Sequence, residues 1–133
     1  MLDDQIGFLL RQVSQRHAAL FSAAMGAELM TTRWAALSKL AEAGPLSQNR
    51  LGRMTAMDAA TIKGVIDRLL RRSLVSTTAD PTDGRRLLVN LTEAGRSLAM
   101  ALVPQAEAVT RDTLAPLDAT EQHQLKALLR RLR

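Results

Sequence analysis

The sequence predicts a mainly α-helical chain carrying one small β-hairpin, and three observations predict it. Apolar residues recur at helical spacing through most of the 133 residues, with Ser, Asp and Gly at the expected helix ends. The spacing changes only between residues 74 and 91, where β-branched residues flank the turn-forming run Ala79-Asp80-Pro81-Thr82-Asp83-Gly84. That hairpin follows directly on two short helices, and longer helices remain at both ends of the chain.

Each element has its own signal. Residues 4–24 read as one helix, with Ile6, Leu10, Val13, His17 and Leu20 on a single stripe and Gly26 closing it. A second helix covers about 31–43, with Trp34, Leu37, Leu40 and Ala41 on one face, and stops at Gly44-Pro45. Ser47 is the N-cap of a short helix through Met54, and Asp58 caps the next, through Arg72. In that helix Ile62, Val65, Ile66, Leu69 and Leu70 face inward, with charge opposite. Leu74–Thr78 and Arg86–Leu91 are the two strands of the hairpin. Thr92-Glu93-Ala94-Gly95 opens a long helix to about 114, in which Pro104 predicts a kink or a break. Leu117-Asp118 then opens a last helix over 119–131.

Composition narrows what such a chain can do. Lys and Arg number 18 against 13 Asp and Glu, a net charge of +5 that suits an anionic partner. The absence of cysteine excludes disulfides, thiolate chemistry and Cys-ligated zinc. The aromatics are Phe8, Phe21 and Trp34 alone, too few for the stacking platforms that hold single strands, so duplex DNA is the better nucleic-acid partner. The acidic start lacks the basic and apolar regions of a signal peptide, and no apolar run is long enough to span a membrane, so a cytoplasmic protein without a membrane partner is expected. His17 and His123 are too isolated for a metal set, and no nucleophile elbow or phosphate-cradling glycine loop occurs. Neither an enzyme nor a bound metal or cofactor is expected.

Two short helices followed at once by a hairpin form a winged helix-turn-helix, with the hairpin as wing and the second helix of the pair in the major groove. The stretch from Leu74-Val75 through Asp80-Pro81-Thr82-Asp83-Gly84-Arg85-Arg86-Leu87-Leu88-Val89-Asn90-Leu91-Thr92-Glu93-Ala94-Gly95 resembles the wing signature of the MarR family of bacterial transcriptional regulators. That signature reads D-x-R, an apolar alternation, then L-T-x-x-G. Upstream, "TIKGVIDRLLRRSLV" resembles the family's recognition helix and exit strand, and "GPLSQNRLGRMTAMDAATI" the helix and turn before it. Ser73 stands where the family usually has Gly, and Gly64 where a larger polar residue is common.

The resemblance implies one MarR-type domain over 1–133, with a DNA-binding lobe at 31–92 and a dimerisation lobe built from 1–24 and 93–133. It also implies a homodimer, with Leu98, Leu102, Leu114, Leu125, Leu128 and Leu129 among the faces buried between copies. Two-fold symmetry then calls for a pseudo-palindromic operator. Arg85 matches the family's minor-groove arginine, Asp83 would orient it, and Arg86 would face phosphate. On the second short helix, Asp58 and Ala59 begin the DNA-facing surface, while Thr61 and Lys63 reach base edges or nearby phosphate. Arg68 braces Asp67 or a neighbouring helix, and Ser47, Gln48, Asn49, Arg50 and Arg53 touch backbone phosphates. Residues 47–90 hold eight Lys/Arg against four Asp/Glu, a local +4 within the total of +5.

The family binds small aromatic acids or phenols between its two lobes. His17, Phe21, Met25, Met30, Thr31 and Trp34 are the corresponding effector candidates, although each is equally an ordinary packing residue. The expected function is thus a ligand-released repressor. Two other classes stay open: an architectural DNA-binding protein without an effector, and a winged-helix module that binds another protein. Salt-dependent preference for one operator over random DNA separates the first from the second, and absence of DNA binding would favour the third.

Overall fold

The computed structural model describes residues 1–26 and 29–133, which pack as two compact units. One unit comprises Met1–Gly26 and Pro104–Arg133, the other Ala27–Val103.

In the first unit a 3-10 turn, Leu2–Asp4, precedes α1 (Ile6–Met25), so the single helix expected from residue 4 is interrupted at the extended Gln5. Gly26 ends α1 at φ 88°, a backbone state that suits glycine. The second half of α5 (Glu93–Leu114) and α6 (Ala119–Arg131) complete the unit. α5 runs through Pro104 without a break, although the division between the units falls just before that residue. Asp118 and Glu121 form a reciprocal capping box at the start of α6. The last carbonyls of α5 find side-chain donors: Arg16 donates to Asp112 and Thr113 (2.7 Å each), and Gln122 to Leu114 (3.1 Å). Phe21, Met25 and Val109 are buried, whereas Ile6, Leu10 and Val13 of the expected α1 stripe are exposed. Of the six leucines expected in a dimer interface, Leu128 and Leu129 are exposed; Leu98, Leu102, Leu114 and Leu125 are half-buried.

The second unit holds α2 (Thr31–Ala43), β1 (Leu46–Ser47), α3 (Gln48–Met54), α4 (Ala59–Arg71), β2 (Val75–Asp80), β3 (Asp83–Leu91) and the first half of α5. The strands form one antiparallel sheet in the order β1-β3-β2. β1 was not foreseen: it pairs Leu46 with Val89 and Ser47 with Leu88, and two residues carry no alternation to read. The core is formed by Ala36, Leu37 and Leu40 of α2, Leu51 of α3, and Ile62, Val65, Ile66 and Leu69 of α4. Val75, Val89, Leu91 and Ala99 add to it from the sheet and α5. Two inward assignments are corrected. Ala41 is exposed while Ala36 is buried, and Leu70, at the edge of the α4 stripe, is 37% exposed.

Both α3 and α4 end in the same way. Ala56 and Ser73 take left-handed φ values of 56° and 57°, each just past a helix end where glycine is favoured. Met57 N–H donates to Gly52 O and Leu74 N–H to Leu69 O (2.9 Å each), the six-to-one bond of a Schellman turn. The base of the wing is tight. Thr92 N–H donates to Leu74 O, the Thr92 hydroxyl donates to Ser73 O, and Gly95 N–H donates back to Thr92 Oγ1. A Cβ built on Gly95 would collide with the Leu74 carbonyl, which explains glycine at the end of the L-T-x-x-G run.

Candidate nucleic-acid interface

The helix pair α3–α4 is set by two caps and a close contact. Ser47 Oγ accepts from Arg50 N–H (3.3 Å), and Asp58 Oδ1 accepts from Thr61 N–H (2.7 Å), as the sequence predicts. Gly52 lies where a Cβ would stand 3.1 Å from Ile62 Cγ2, so α3 and α4 approach each other at a residue without a side chain. The Thr61 backbone bond, then its side chain, hold the Asp58 carboxyl below its ordinary pKa. The lowered value means that this cap acts above the usual carboxylate range and is lost as pH falls through the folded-state pKa.

With Ile62, Val65, Ile66 and Leu69 turned into the core, α4 presents Ala59, Ala60, Thr61, Lys63, Gly64 and Arg68 outward. Lys63 does not stand alone: its Nζ lies 2.9 Å from Asp67 Oδ2, one helical turn on. This answers one of the two alternatives expected for Arg68, the brace to Asp67, which is made by Lys63 instead. Neighbours in sequence point about 100° apart on a helix, so Asp67 is reached from position i−4 rather than from i+1.

The wing departs from a simple hairpin in a way that bears on its arginines. The strands extend further than expected, to Asp80 and from Asp83, leaving Pro81-Thr82 as the turn. Asp80 Oδ1 accepts from both the N–H (2.8 Å) and the hydroxyl (2.7 Å) of Thr82. These bonds, followed by the charge of Arg86, hold the Asp80 carboxyl below its ordinary pKa. Ala79 faces Leu87, yet the next residue, Asp80, faces Asp83, so Gly84, Arg85 and Arg86 of β3 have no opposite residue. Such a bulge breaks the strict up–down alternation of a strand, and consecutive arginines are both exposed. Arg85, with its side chain 96% exposed, donates its backbone N–H to Asp83 Oδ1 (3.1 Å), and its Nε stands 3.7 Å from the same oxygen.

Between the wing and α3 the surface forms an open cleft of about 370 Å³, lined by Ser47, Gln48, Asn49, Arg53, Arg85, Arg86 and Leu87. Six of the seven expected phosphate- or groove-contacting residues from 47–53 and 85–86 meet here, and no carboxylate among the described residues lines the cleft. Arg50 is exposed on α3 but is not part of the lining. Leu87, an exposed apolar residue at the rim, had no signal in the sequence beyond its place in an alternating run.

The effector candidates fall in both units. In the first, Phe21 and Met25 are buried and His17 is half-buried, its ring 6.3 Å from that of Phe21. His17 Nδ1 lies 2.9 Å from Thr113 Oγ1, and that hydroxyl donates to Val109 O (2.8 Å). With the hydroxyl proton committed, Nδ1 must be the donor, which leaves Nε2 of the neutral ring as an acceptor. Thr113 and Arg16, which tie α1 to α5, carried no periodic signal and were missed. In the second unit Met30 and Thr31 are exposed and Trp34 is half-buried.

A capped helix-turn-helix followed by a wing with two exposed arginines defines a winged-helix DNA-binding protein. The chain belongs to the MarR family of transcriptional regulators, whose family model matches residues 29–87. It is 38% identical over 130 residues to the HTH-type transcriptional repressor NicR of Pseudomonas putida, covering 97% of this chain and 82% of that protein. It superposes on a probable transcriptional regulator from Pseudomonas aeruginosa with a TM-score of 0.94 and 56% identity over the whole of both chains. Bordetella bronchiseptica BpsR, whose DNA binding is regulated by 6-hydroxynicotinic acid, matches with a TM-score of 0.93 and 38% identity, over 97% of this chain and 93% of that one. The activity is regulation of transcription through DNA, not enzymatic turnover. No helix among the described residues is long and apolar enough to cross a membrane.

Proposed function

We propose that the chain is a homodimeric repressor that binds a pseudo-palindromic operator and leaves it when an aromatic acid binds. The observation that carries the DNA half of this reading is the cleft, without a carboxylate among the described residues, that joins Ser47, Gln48, Asn49 and Arg53 to the wing arginines. A phosphate backbone laid along it meets hydroxyl, amide and guanidinium donors together. α4 then offers Thr61 and Lys63 to the major groove, with Asp58 and Ala59 at its entry, and Arg85 reaches the adjacent minor groove. Arg50 and Arg68 contribute charge at the edges.

Two observations support the effector half. BpsR, similar over nearly the whole chain, is regulated by 6-hydroxynicotinic acid. In this chain Thr113 holds one ring nitrogen of His17, and among the described residues no hydrogen bond engages the other. A ligand hydroxyl could donate to Nε2, and Phe21 beside it favours a flat apolar ring. The test begins with a duplex selected from random DNA by the protein itself. Adding 6-hydroxynicotinate or a related hydroxybenzoate should raise the melting temperature and release that duplex, and His17→Ala should lose the ligand response while retaining DNA affinity. Release without any ligand-dependent stabilisation, or an equal loss of both properties in His17→Ala, would overturn the effector assignment.

A further inference from the structure

Gly64 lies in the middle of α4, with helical turns on both sides, and glycine is the least favoured residue there apart from proline. The fold gives no reason for it. Its φ is not positive, it is exposed, and a Cβ built on it would meet nothing within 4 Å. By contrast Gly52 and Gly95, also helical, each stand against a neighbour that a Cβ would crowd, and Gly7, which is open like Gly64, lies in the first turn of α1 rather than in the middle of a helix. An exposed glycine that weakens its helix and relieves no internal contact calls for an external one, and its outward face is the face of α4 that reads DNA.

The chemistry of the gap says what fits it. The backbone groups at Gly64 are engaged within the helix, so the gap offers neither donor nor acceptor. Its helical neighbours are the small Ala60 and Thr61 one turn back and Asp67 and Arg68 one turn on, with Asp67 held by Lys63. The floor of the major groove presents one apolar group, the C5-methyl of thymine. We infer that Gly64 is a specificity-determining residue whose missing side chain accepts a thymine methyl in each half-site. The inference rests on the reading of α4 as the helix that enters the major groove.

The test moves one methyl group between protein and DNA. A duplex selected by the parent protein is resynthesised with each thymine of the two half-sites replaced in turn by deoxyuridine, and affinities are measured for the parent and for Gly64→Ala. Gly64→Ala should melt about 2–6 °C higher, because alanine favours the helix and its Cβ meets nothing. It should also bind the thymine duplex about tenfold or more weakly. At one symmetric position deoxyuridine should weaken the parent yet restore Gly64→Ala, and Gly64→Ser should follow Gly64→Ala in discrimination. Gly64→Ala binding the thymine duplex as tightly as the parent overturns the inference, as does a parent indifferent to every thymine methyl. Thr61→Ala and Arg85→Ala distinguish the two levels. If both also leave binding intact, α4 and the wing are not the reading elements, and both proposals fall. If they weaken it while Gly64→Ala does not, only the assignment of Gly64 falls.

Discussion

α1 and α4 both read in the sequence as helices with one apolar stripe, yet their stripes end in opposite situations. Ile62, Val65, Ile66 and Leu69 of α4 are all buried, Leu69 being 1% exposed. In α1, Ile6 is 63%, Leu10 46% and Val13 56% exposed. The same periodicity therefore carries two meanings. One stripe is satisfied by its own chain, whereas the other presents apolar surface that a single chain leaves in water, next in sequence to Phe21 and Met25, which are buried. The proposed second copy is what would cover it. The surface proposed to face DNA is unsatisfied in the complementary sense: its exposed arginines serve the fold little and would suit a phosphate backbone.

The largest expected effect comes from truncating the covered stripe. Leu69→Ala should lower the free energy of unfolding by about 2–5 kcal/mol, because the α4 side chain leaves a cavity between packed elements. Val13→Ala should change the stability of a single chain by less than about 0.5 kcal/mol, and Val13→Asp should instead dissociate the dimer. Denaturant unfolding together with sedimentation measures both. The comparison breaks if Val13→Asp remains dimeric at low micromolar protein, since the exposed stripe would then have some other use.

Gly95→Ala probes how self-contained the second unit is. Its new methyl would press on the Leu74 carbonyl, which already accepts the Thr92 N–H, so either the wing base or the start of α5 must shift. A loss of about 1–3 kcal/mol is expected, read as a lower urea midpoint. An unchanged midpoint would show that the base of the wing yields more easily than its close contact implies.

This pattern also shows what a sequence can disclose. Helix ends were legible because Ser47, Asp58, Asp118, Gly26 and Gly44 are local devices, and all five stand at the ends expected of them. Family resemblance was legible in the wing because its motif combines turn residues, arginines and a helix start within a short run. What periodicity could not give was the partner of a stripe, since spacing records that a face is apolar and not what covers it. Nor could it give β1, whose strand state is conferred by β3, or the bulge that lets Arg85 and Arg86 both reach solvent. The Lys63–Asp67 pair follows from its i,i+4 spacing, a stronger guide on a helix than the adjacency of Arg68.

Arg85→Ala sharpens the contrast between residues held for the fold and residues held for a partner. The side chain is almost fully exposed and its one ionic neighbour among the described residues is Asp83 at 3.7 Å, so folding stability should stay within about 0.5 kcal/mol of the parent. Operator affinity should fall by about 1–3 kcal/mol for each arginine lost from a groove. Arg85→Lys should recover only part, because an ammonium keeps the charge without the flat, weakly hydrated head. Titration of the selected duplex at two salt concentrations separates that loss from simple phosphate contact, and parent-like binding by folded Arg85→Ala would leave the wing as no more than a turn.

The smallest expected effect lies where the second unit is not fully at ease. α1 and α2 end on Gly26 and Gly44 at positive φ, but α3 and α4 turn at Ala56 and Ser73 in the left-handed region. A side chain there costs about 1–2 kcal/mol, and replacing it with glycine returns part of the difference as extra entropy of the unfolded chain. Ser73→Gly should therefore stabilise the protein by about 0.5–1 kcal/mol. The carbonyl of residue 73 still accepts from Thr92, and the Leu74-to-Leu69 bond is retained. Ala56→Gly should behave alike, and Gly26→Ala should move stability the other way. Operator affinity should not change with Ser73→Gly, since the substitution adds no contact and removes none from the DNA-facing surface. A destabilised Ser73→Gly would show that the serine is held in its left-handed state at no cost, and that the two helix ends without glycine are as relaxed as the two that have it.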